Sequence, residues 1–410
     1  MKIALLGALA IAFFGQASLE ARIWTDVRGI EFEAEAVSQT EDEVLLRLPD
    51  GKELDVPWDR LILEDREYLK KRAEDLKKAA ELAAKKKAIE ELDDGLNWDD
   101  PWPETIVFKE DPEITVVEEN AETNRFIYTS TNYRFTCDVR LSKSVVSTFA
   151  DMFESTHDYC RALPLAITGG GMRDGKYDIL LFETRDSYIK AGGPPSSSGV
   201  FMSRGRFGVV MVPLTSLGVR KVGSGYMRDR DKSDGTLIHE LTHQLTPGVY
   251  FGVGARGWFS EGLAEYTTAT PYRNGRFKVK NNFDDIEEYA TAYGKNGNRG
   301  RALGKDIKAP ALRDYMLMSY DDFTGDRANF NYGFALIITT YFLHLDGDGD
   351  AARMKEFLKE LRRIGRRGDT TKALDKLLDG RTWNELEDDI SSAWGRKGID
   401  ITFRESTAAY

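Results

Sequence analysis

Cysteine and histidine are both scarce in this sequence, which has two cysteines and four histidines among its 410 residues. Two cysteines exclude a disulfide framework but leave room for one bridge, between Cys137 and Cys160, in an oxidising compartment. Cys137 lies in strand-like sequence and Cys160 near the far end of the helix-like segment that follows, about 25 Å from its start. Because a bridge needs Cα atoms within about 7 Å of each other, we favour two free thiols over a bridge.

A net positive charge and long apolar runs are also lacking. The formal net charge of -11 and the pI near 5.2 argue against a nucleic-acid partner, because phosphate backbones attract clustered Lys and Arg. The apolar run from Ile3 to Phe14 is shorter than the roughly 20 residues of a membrane span. With Lys2 before it and small residues after it, the run predicts a signal peptide over residues 1–21. We therefore expect a secreted or periplasmic protein without stable membrane insertion; a membrane anchor is the alternative.

Residues 22–65 alternate apolar and polar side chains in short runs, with a Pro-Asp-Gly turn at 49–51, which predicts a small all-β module. The pieces "RIWTD", "LPDGKELDVPWDRL" and "EDREYL" make the stretch from Arg22 to Leu69 similar to the Sla homology domain, found near the start of some secreted bacterial proteins. This resemblance implies a barrel-like β fold. It also implies an interaction with a partner that the resemblance does not specify.

Residues 66–94 are rich in Ala, Lys, Glu and Leu, and Leu69, Leu76, Ala80 and Ala83 recur at near-helical spacing. The pattern predicts one long solvated helix that serves as a spacer. A coiled coil is the alternative, but an Ala-rich stripe makes a weak seam. The stretch "DDGLNWDDPWPE" then breaks the helix and marks a domain boundary.

The remainder predicts an α+β unit in which a mixed sheet precedes the helices. Its first part has three strand-like runs and an amphipathic helix-like run, at Thr105 to Lys109, Ile114 to Val117, Arg125 to Val139 and Ser144 to Arg161. After Gly235 the pattern is mainly helical. We therefore expect a sheet-rich half over residues 105–235 and a helical half over residues 236–410.

Two of the four histidines, His239 and His243, lie in the stretch "LIHELTHQL". Because they are four residues apart on a predicted helix, their imidazoles project from the same face and can chelate one metal ion. Glu240 follows the first histidine and would reach a metal-bound water, which is where a general base is needed. Zinc at a catalytic site usually takes three protein ligands, so a third ligand is required downstream.

The stretch "GWFSEGLAEYTTA" supplies a candidate for that ligand. Glu261 follows His243 by 18 residues, near the start of a predicted helix that Ser260 would cap. One turn further on, Glu265 would accept a hydrogen bond from a zinc-bound imidazole, that of His239. The alternative interpretation is that both glutamates belong to a solvated helix face.

With these residues the sequence resembles the gluzincin metallopeptidases, in which a His-Glu-x-x-His helix is followed by a second helix that donates a glutamate. The similarity covers Leu237 to Tyr266 and implies zinc bound by His239, His243 and Glu261, with Glu240 as the base. It also implies a zincin-like core with strands before these helices. No further histidine lies at the spacing of a three-histidine site.

The resemblance further implies a tyrosine or histidine, on a later helix, that stabilises the oxyanion of the tetrahedral intermediate. Tyr332, near the start of the apolar run "NFNYGFALIITTYFLHL", is the candidate, with Tyr266 and His344 as weaker alternatives. The non-catalytic interpretation is a core tyrosine at a helix start.

Two other patterns favour structural roles. His157 has no partner at ligand spacing, which favours packing over metal binding. The stretch "LDGDGDAARM" begins like a calcium loop, but Ala351 and Phe357 replace its sixth-position glycine and twelfth-position glutamate. We expect a turn between helices there, with Asp350 as the N-cap.

We therefore expect a secreted zinc metallopeptidase that acts on a protein or peptide substrate. Glu240 would deprotonate a water and then pass the proton to the leaving amine. Two alternatives remain: a non-catalytic extracellular or envelope binding protein on a peptidase-like scaffold, and a zinc hydrolase with a non-protein substrate. The presence of Glu240 argues against the first alternative, because a protein that only binds a partner does not require a general base.

Overall fold

The computed structural model describes seven stretches of the chain, residues 21–40, 42–93, 95–108, 111–204, 207–229, 235–293 and 300–405. The chain divides into two compact units, Met1–Asp94 and Gly95–Tyr410. All but the last residue of the predicted signal peptide falls on residues 1–20, which lie outside the described residues. Within the described stretches, no helix is both long enough and apolar enough to cross a membrane.

The first unit contains a four-stranded antiparallel sheet. Its strands β1 to β4 are Arg22–Thr25, Glu31–Gln39, Glu43–Arg47 and Glu53–Pro57. Each strand pairs with the next along the chain, so that β1 and β4 are the two edges of an open sheet. Trp24, Val44 and Leu46 meet in one core, because alternate residues of a strand face the same side. Strands are therefore present where the sequence predicts them, but in the described residues they do not close into a barrel.

Helix α1 (Leu63–Asp93) follows this sheet and begins slightly before the predicted start at Arg66. Leu69 lies in the same core as Trp24, so the first turns of the helix complete the β module. Leu76, one of the residues of the predicted apolar stripe, is exposed. The helix thus begins as part of the module and is exposed to solvent at Leu76.

The second unit is built on a six-stranded mixed sheet. A short strand, β5 (Thr105–Val107), comes before it in the chain. The six strands β6 to β11 are Thr115–Asn120, Arg125–Thr129, Tyr133–Cys137, Tyr177–Phe182, Val200–Arg204 and Phe207–Pro213. Their order is β10-β11-β9-β8-β7-β6, with β8, β9 and β11 parallel to one another. The strand predicted over Arg125 to Val139 is a hairpin instead, because a turn at 130–132 separates β7 from β8.

Helix α2 (Lys143–Ala162) covers one face of this sheet, which we call the inner face. The Ser142 side chain caps the helix by accepting a backbone hydrogen bond. Phe149 and Phe153 pack edge-on against Phe135 of β8, with ring centroids 5.5 and 5.1 Å apart. The amphipathic helix predicted here is confirmed to within one residue at each end.

The opposite face of the sheet, the outer face, is covered only in part among the described residues. Helix α3 (Arg185–Lys190) lies there, and its Tyr188 packs with Val209 and Met211 of β11. Beyond β11, the strands β12 (Val219–Val222) and β13 (Gly225–Arg228) form a separate hairpin.

The rest of the chain is mostly helical. Helices α4 to α12 are Thr236–Leu245, Trp258–Ala269, Phe283–Thr291, Leu312–Met316, Tyr320–Phe323, Ala328–His344, Ala352–Ile364, Leu374–Leu378 and Trp383–Gly395. Four short strands accompany them, β14 to β17 at Tyr272–Arg273, Arg276–Lys278, Asp306–Ala309 and Asp400–Phe403. Strands β14 and β15 extend a small sheet that includes β5, and β16 pairs with β17. The predicted α+β class is confirmed, although this half is not purely helical.

The two cysteines do not form a bridge. Cys137 and Cys160 are both buried and both free. Burial raises the pKa of each thiol to about 12, so neither is a ready nucleophile or metal ligand at neutral pH.

The turn before α10 differs in detail from the prediction. Ala351, in the left-handed region with φ of 61°, occupies the N-cap position expected for Asp350. Asp350 instead accepts a hydrogen bond from the backbone N–H of Ala352 at 3.0 Å. Asp346 is buried and pairs with Arg353 at 2.8 Å. Asp346 therefore ties this turn to α10, while the bond of Asp350 is local to the turn.

Candidate metal centre

Helix α4 brings the two histidines of "LIHELTHQL" together. His239 and His243 lie one turn apart on the same side of the helix, with their Nε2 atoms 3.1 Å apart, and both are buried. The opposite stripe of the helix, formed by Leu237, Leu241 and Leu245, is packed into the core of the second unit. The apolar stripe thus fixes the helix and directs both imidazoles to one point.

Helix α5 brings a carboxylate to the same point. The helix starts after Gly257, whose φ of 90° favours glycine, and Ser260 is its third residue and not its cap. The Ser260 hydroxyl reaches back and accepts the Gly257 N–H at 3.0 Å. Oε2 of Glu261 lies 3.1 Å from Nε2 of His239 and 3.0 Å from Nε2 of His243.

These three atoms have the spacing of a metal-ligand set. They lie 3.0 to 3.1 Å from one another, and a tetrahedral ion with bonds of about 2.0–2.1 Å separates its ligand atoms by roughly 3.3–3.4 Å. Two imidazole lone pairs and a carboxylate oxygen converge here, and a cation or a proton must lie between them to offset their repulsion. The buried group of His239, His243 and Glu261 can therefore hold a metal ion.

The first histidine is oriented by a buried ion pair. Nδ1 of His239 lies 2.9 Å from Oε1 of Glu265, which is fully buried. The Glu265 carboxylate also accepts a hydrogen bond from Nε of Arg301 at 2.7 Å. Burial alone would raise the pKa of Glu265, but Arg301 and His239 outweigh it and lower the pKa to about 2. An ionised Glu265 holds a proton of His239 on Nδ1, so Nε2, which faces Glu261, is the atom that takes up a second proton or a metal ion.

The electrostatics of the site favour a positive charge. Burial alone would lower the pKa of His239, but its hydrogen bonds to Glu261 and Glu265 outweigh burial and raise that pKa to about 10. Burial opposes ionisation of Glu261, yet the neighbouring histidines hold its pKa far below the usual range. A metal ion and a proton compete for the same imidazole lone pair, so the carboxylates that favour the proton favour a cation in its place.

Glu240 lies beside the ligands without joining them. Its Oε2 accepts a hydrogen bond from the backbone N–H of Phe201, in strand β10, at 2.7 Å. Burial raises the pKa of the Glu240 carboxyl, partly offset by His239 and His243. A carboxylate with a raised pKa next to a metal site has the properties of a general base.

Tyr332, the predicted oxyanion donor, lies at the edge of the ligand group. Its ring centroid is 5.9 Å from that of His239, and the guanidinium carbon of Arg301 lies 4.8 Å from the Tyr332 ring centroid. Among the described residues its hydroxyl has no hydrogen-bond partner. Burial, and then the nearby Glu261, raise the pKa of this phenol, which therefore stays protonated and able to donate.

A second tyrosine at the site was not predicted. Tyr320, on the short helix α8, donates its hydroxyl hydrogen to Oε1 of Glu261 at 3.0 Å. The guanidinium carbon of Arg256 lies 4.3 Å from the Tyr320 ring centroid. Neither Tyr320 nor Arg301 could be assigned to the site from its spacing in the sequence, because both lie outside α4 and α5.

The weaker alternatives to Tyr332 are engaged with each other. The Tyr266 hydroxyl and Nε2 of His344 are 2.8 Å apart, and the ring of Trp102 lies 4.7 Å from that of His344. His157 is partly buried and lies 3.2 Å from the carboxylate of Asp158, away from the ligand group. These contacts give the three residues structural partners.

No family model, curated protein or solved structure matches this chain. The resemblances to the gluzincins and to the Sla homology domain therefore remain predictions from the sequence. The geometry of the site is what supports a function.

Proposed function

We propose that this chain is a zinc-dependent metallopeptidase, with His239, His243 and Glu261 as the metal ligands and Glu240 as the general base. One observation carries the proposal: three buried ligand atoms converge within 3.1 Å of one another while a fourth ionisable group, Glu240, lies beside them without joining the set. With three protein ligands, a bound zinc ion would keep one position open to water or substrate, which distinguishes a catalytic from a closed structural site.

Bound zinc supplies Lewis acidity, which polarises a carbonyl and activates water at neutral pH. The Glu240 carboxylate accepts the proton of the attacking water and then delivers it to the leaving amine. The Tyr332 hydroxyl, which has no other partner among the described residues, donates a hydrogen bond to the negative charge that develops on the carbonyl oxygen. Glu265 and Arg301 keep the imidazole of His239 in its ligand orientation.

The strand next to Glu240 supports a peptide as the substrate. Strand β10 pairs with β11 on one side and, within the described residues, with no strand on its other side. The Phe201 N–H bonded to Glu240 shows that the outward backbone groups of β10 adjoin the base. An extended peptide would add to this edge through backbone hydrogen bonds, which brings a peptide carbonyl next to the metal centre.

The proposal is tested by incubating the purified full chain with a peptide library, as isolated, after treatment with a chelator, and after zinc is restored. We expect cleavage that is lost with the chelator and recovered with zinc. Glu240→Gln should retain one zinc per chain, measured by elemental analysis, and lose hydrolysis by several orders of magnitude. Glu356→Gln, on the exposed side of α10, is the matched control and should cleave normally.

Undiminished cleavage by Glu240→Gln would refute the mechanism. Zinc binding without peptide cleavage, together with zinc-dependent hydrolysis of esters or other non-peptide substrates, would favour the zinc hydrolase alternative. A chain that binds no metal and hydrolyses nothing would favour the non-catalytic binding protein.

We further propose that the protein is exported, on the strength of the apolar N-terminal run followed by small residues. Expression of the full chain in a bacterial host, followed by N-terminal sequencing of the periplasmic and medium fractions, tests this. Cleavage after Ala17 or Ala21 is expected. An uncleaved chain that stays with the membrane fraction would favour the anchor instead.

A further inference from the structure

The outer face of the six-stranded sheet contains a cavity that plays no part in the proposed reaction. Its volume is about 240 Å³, and we call it the outer-face pocket. The residues that line it include Arg125, Arg134, Arg173, Asp178, Leu180 and Phe207. The volume is slightly below the roughly 300–1,000 Å³ typical of sites for drug-sized ligands, so that a smaller ligand fits.

The pocket is positioned by strand register. Arg134 of β8, Asp178 of β9 and Val209 of β11 are direct neighbours across three strands, and their side chains point to the same face. Helix α3 covers the adjacent part of this face, around Tyr188, and leaves the pocket open beside it. Arg173 enters from the turn before β9.

Among the residues that line the pocket, guanidinium groups outnumber carboxylates. Three guanidinium groups line it against one carboxylate, that of Asp178. Asp178 is shared between Arg134 and Arg173, with an N–O distance of 3.3 Å to each, which is longer than an ordinary charged hydrogen bond. Each guanidinium has five N–H donors, so most donors in the pocket remain available to an anion.

Apart from Thr136, the rest of the lining has no polar side chain. The guanidinium carbon of Arg173 lies 5.5 Å from the centroid of the Phe207 ring, and Leu180 and Val209 belong to the apolar cluster of the outer face. A guanidinium beside an aromatic ring and aliphatic side chains suits a ligand with one anionic and one apolar end. A free inorganic anion would leave this apolar surface unused.

The floor of the pocket is held rigidly from the other side of the sheet. Nε2 of Gln244, on α4, donates to the backbone carbonyls of Asp178 at 2.9 Å and Gly208 at 3.3 Å. Gln244 is buried, so these bonds are shielded from water. The backbone floor of the pocket is therefore fixed before a ligand binds, which lowers the cost of binding.

We propose that the outer-face pocket binds a small carboxylic acid with an apolar body, whose carboxylate accepts hydrogen bonds from N–H groups of Arg134 and Arg173 that Asp178 leaves unused, and whose apolar part packs against Phe207. Glu118 and Asp174 pair with Arg125 and Arg134, so together with Asp178 three carboxylates face the three guanidiniums. The ligand would therefore be held by the unused N–H donors of the arginines and by the apolar lining, not by a net positive charge. The site is independent of the metal and of the proposed peptidase activity.

The test is calorimetric titration of the metal-stripped full chain with 3-phenylpropionate. The neutral isostere 3-phenylpropionamide and inorganic phosphate are titrated in parallel. Stripping the metal removes binding of the carboxylate to zinc, so the outcome does not depend on the proposed function. We expect saturable 1:1 binding of the acid, with the amide and phosphate each at least tenfold weaker.

Arg134→Met and Arg173→Met should each weaken binding of the acid at least tenfold. Arg140→Met is the control, because Arg140 is an exposed arginine near the same sheet that pairs with Glu119 and does not line the pocket. The Arg173 side chain is 57% exposed, so its substitution leaves the fold intact even if Arg134→Met does not. Absence of saturable binding, equal affinity for the amide or phosphate, or full affinity in Arg173→Met would each overturn the proposal.

Discussion

Tyr320 donates its hydroxyl hydrogen to Oε1 of Glu261, while the other carboxylate oxygen, Oε2, faces the two histidines. The two oxygens of one carboxylate are thus divided between a tyrosine and the ligand group. Because Oε1 is bonded to Tyr320, Glu261 is positioned to bind a metal ion through Oε2 alone. The hydrogen bond also orders the side chain before a metal binds, which lowers the entropy cost of binding.

Tyr320→Phe should therefore weaken zinc binding about 10- to 100-fold, which is the usual effect of removing a group that orients a metal ligand. The measurement is competition with a chromophoric zinc chelator at pH 7. Tyr332→Phe is the matched control, because it removes a phenolic hydroxyl at the same site that does not contact a ligand. Equal zinc affinities in Tyr320→Phe and the wild type would show that Glu261 is oriented without Tyr320.

Tyr332→Phe should have the complementary effect. We expect kcat for a cleaved peptide to fall about 10²- to 10³-fold, the usual effect of losing one oxyanion donor, while zinc affinity stays within about twofold of the wild type. Steady-state kinetics on zinc-loaded protein provide the measurement. A fall in zinc affinity without a fall in kcat would assign Tyr332 a packing role against His239 and Arg301.

Two parts of the candidate metal centre could be predicted because each is local to one helix. Helical periodicity alone aligns His239 with His243 within α4, and Glu261 with Glu265 within α5. The contact between α4 and α5 is not local. It could be inferred only because a catalytic zinc ion usually needs a third protein ligand.

The groups that the sequence did not mark come from distant parts of the chain. The Phe201 N–H reaches Glu240 from an edge strand, and Tyr320 and Arg301 reach the site from separate segments after α5. These contacts depend on tertiary packing, which has no fixed sequence spacing. The parallel pairing of β8, β9 and β11 escaped prediction for the same reason, since long connections separate these strands.

Gly262 allows α5 to approach α9 closely. A Cβ at this position would lie 2.1 Å from Oγ1 of Thr339 and 2.5 Å from the carbonyl oxygen of Ala335, so the two helices would have to separate. We expect Gly262→Ala to lower the free energy of unfolding by about 1–3 kcal/mol, because overpacking outweighs the better helix propensity of alanine. Zinc affinity should fall as well, since the adjacent Glu261 moves with α5.

Chemical denaturation of the metal-free protein measures the stability of Gly262→Ala. Competition with a chelator measures its zinc affinity. Gly395→Ala is the control: a Cβ there would meet no atom within 4 Å, so its stability should stay within about 0.5 kcal/mol of the wild type or rise slightly. Equal stability of the two variants would contradict the close approach of α5 and α9.

His344 should make the protein sensitive to mild acid. Burial lowers the pKa of its imidazole to about 4 in the folded chain, against roughly 6.5 in the unfolded chain. Between these values the unfolded chain binds a proton that the folded chain does not, so stability falls as the pH falls from about 6.5 to 4 and is unaffected by this group above that range. We expect the free energy of unfolding to fall by roughly 1–3 kcal/mol through this residue over that pH range. The partial exposure of the side chain keeps the effect below the full value that the pKa difference implies.

His344→Gln removes the titrating group and keeps an acceptor for the Tyr266 hydroxyl, 2.8 Å from Nε2 in the wild type. Urea denaturation of both proteins at pH 7, 6, 5 and 4 isolates the contribution of His344, because the other titrating groups, including the metal ligands, are common to both. The stability of the wild type relative to the variant should decrease steadily below pH 6.5 by the amount given above. A constant difference across this range would mean that His344 is protonated as easily in the folded chain as in the unfolded one.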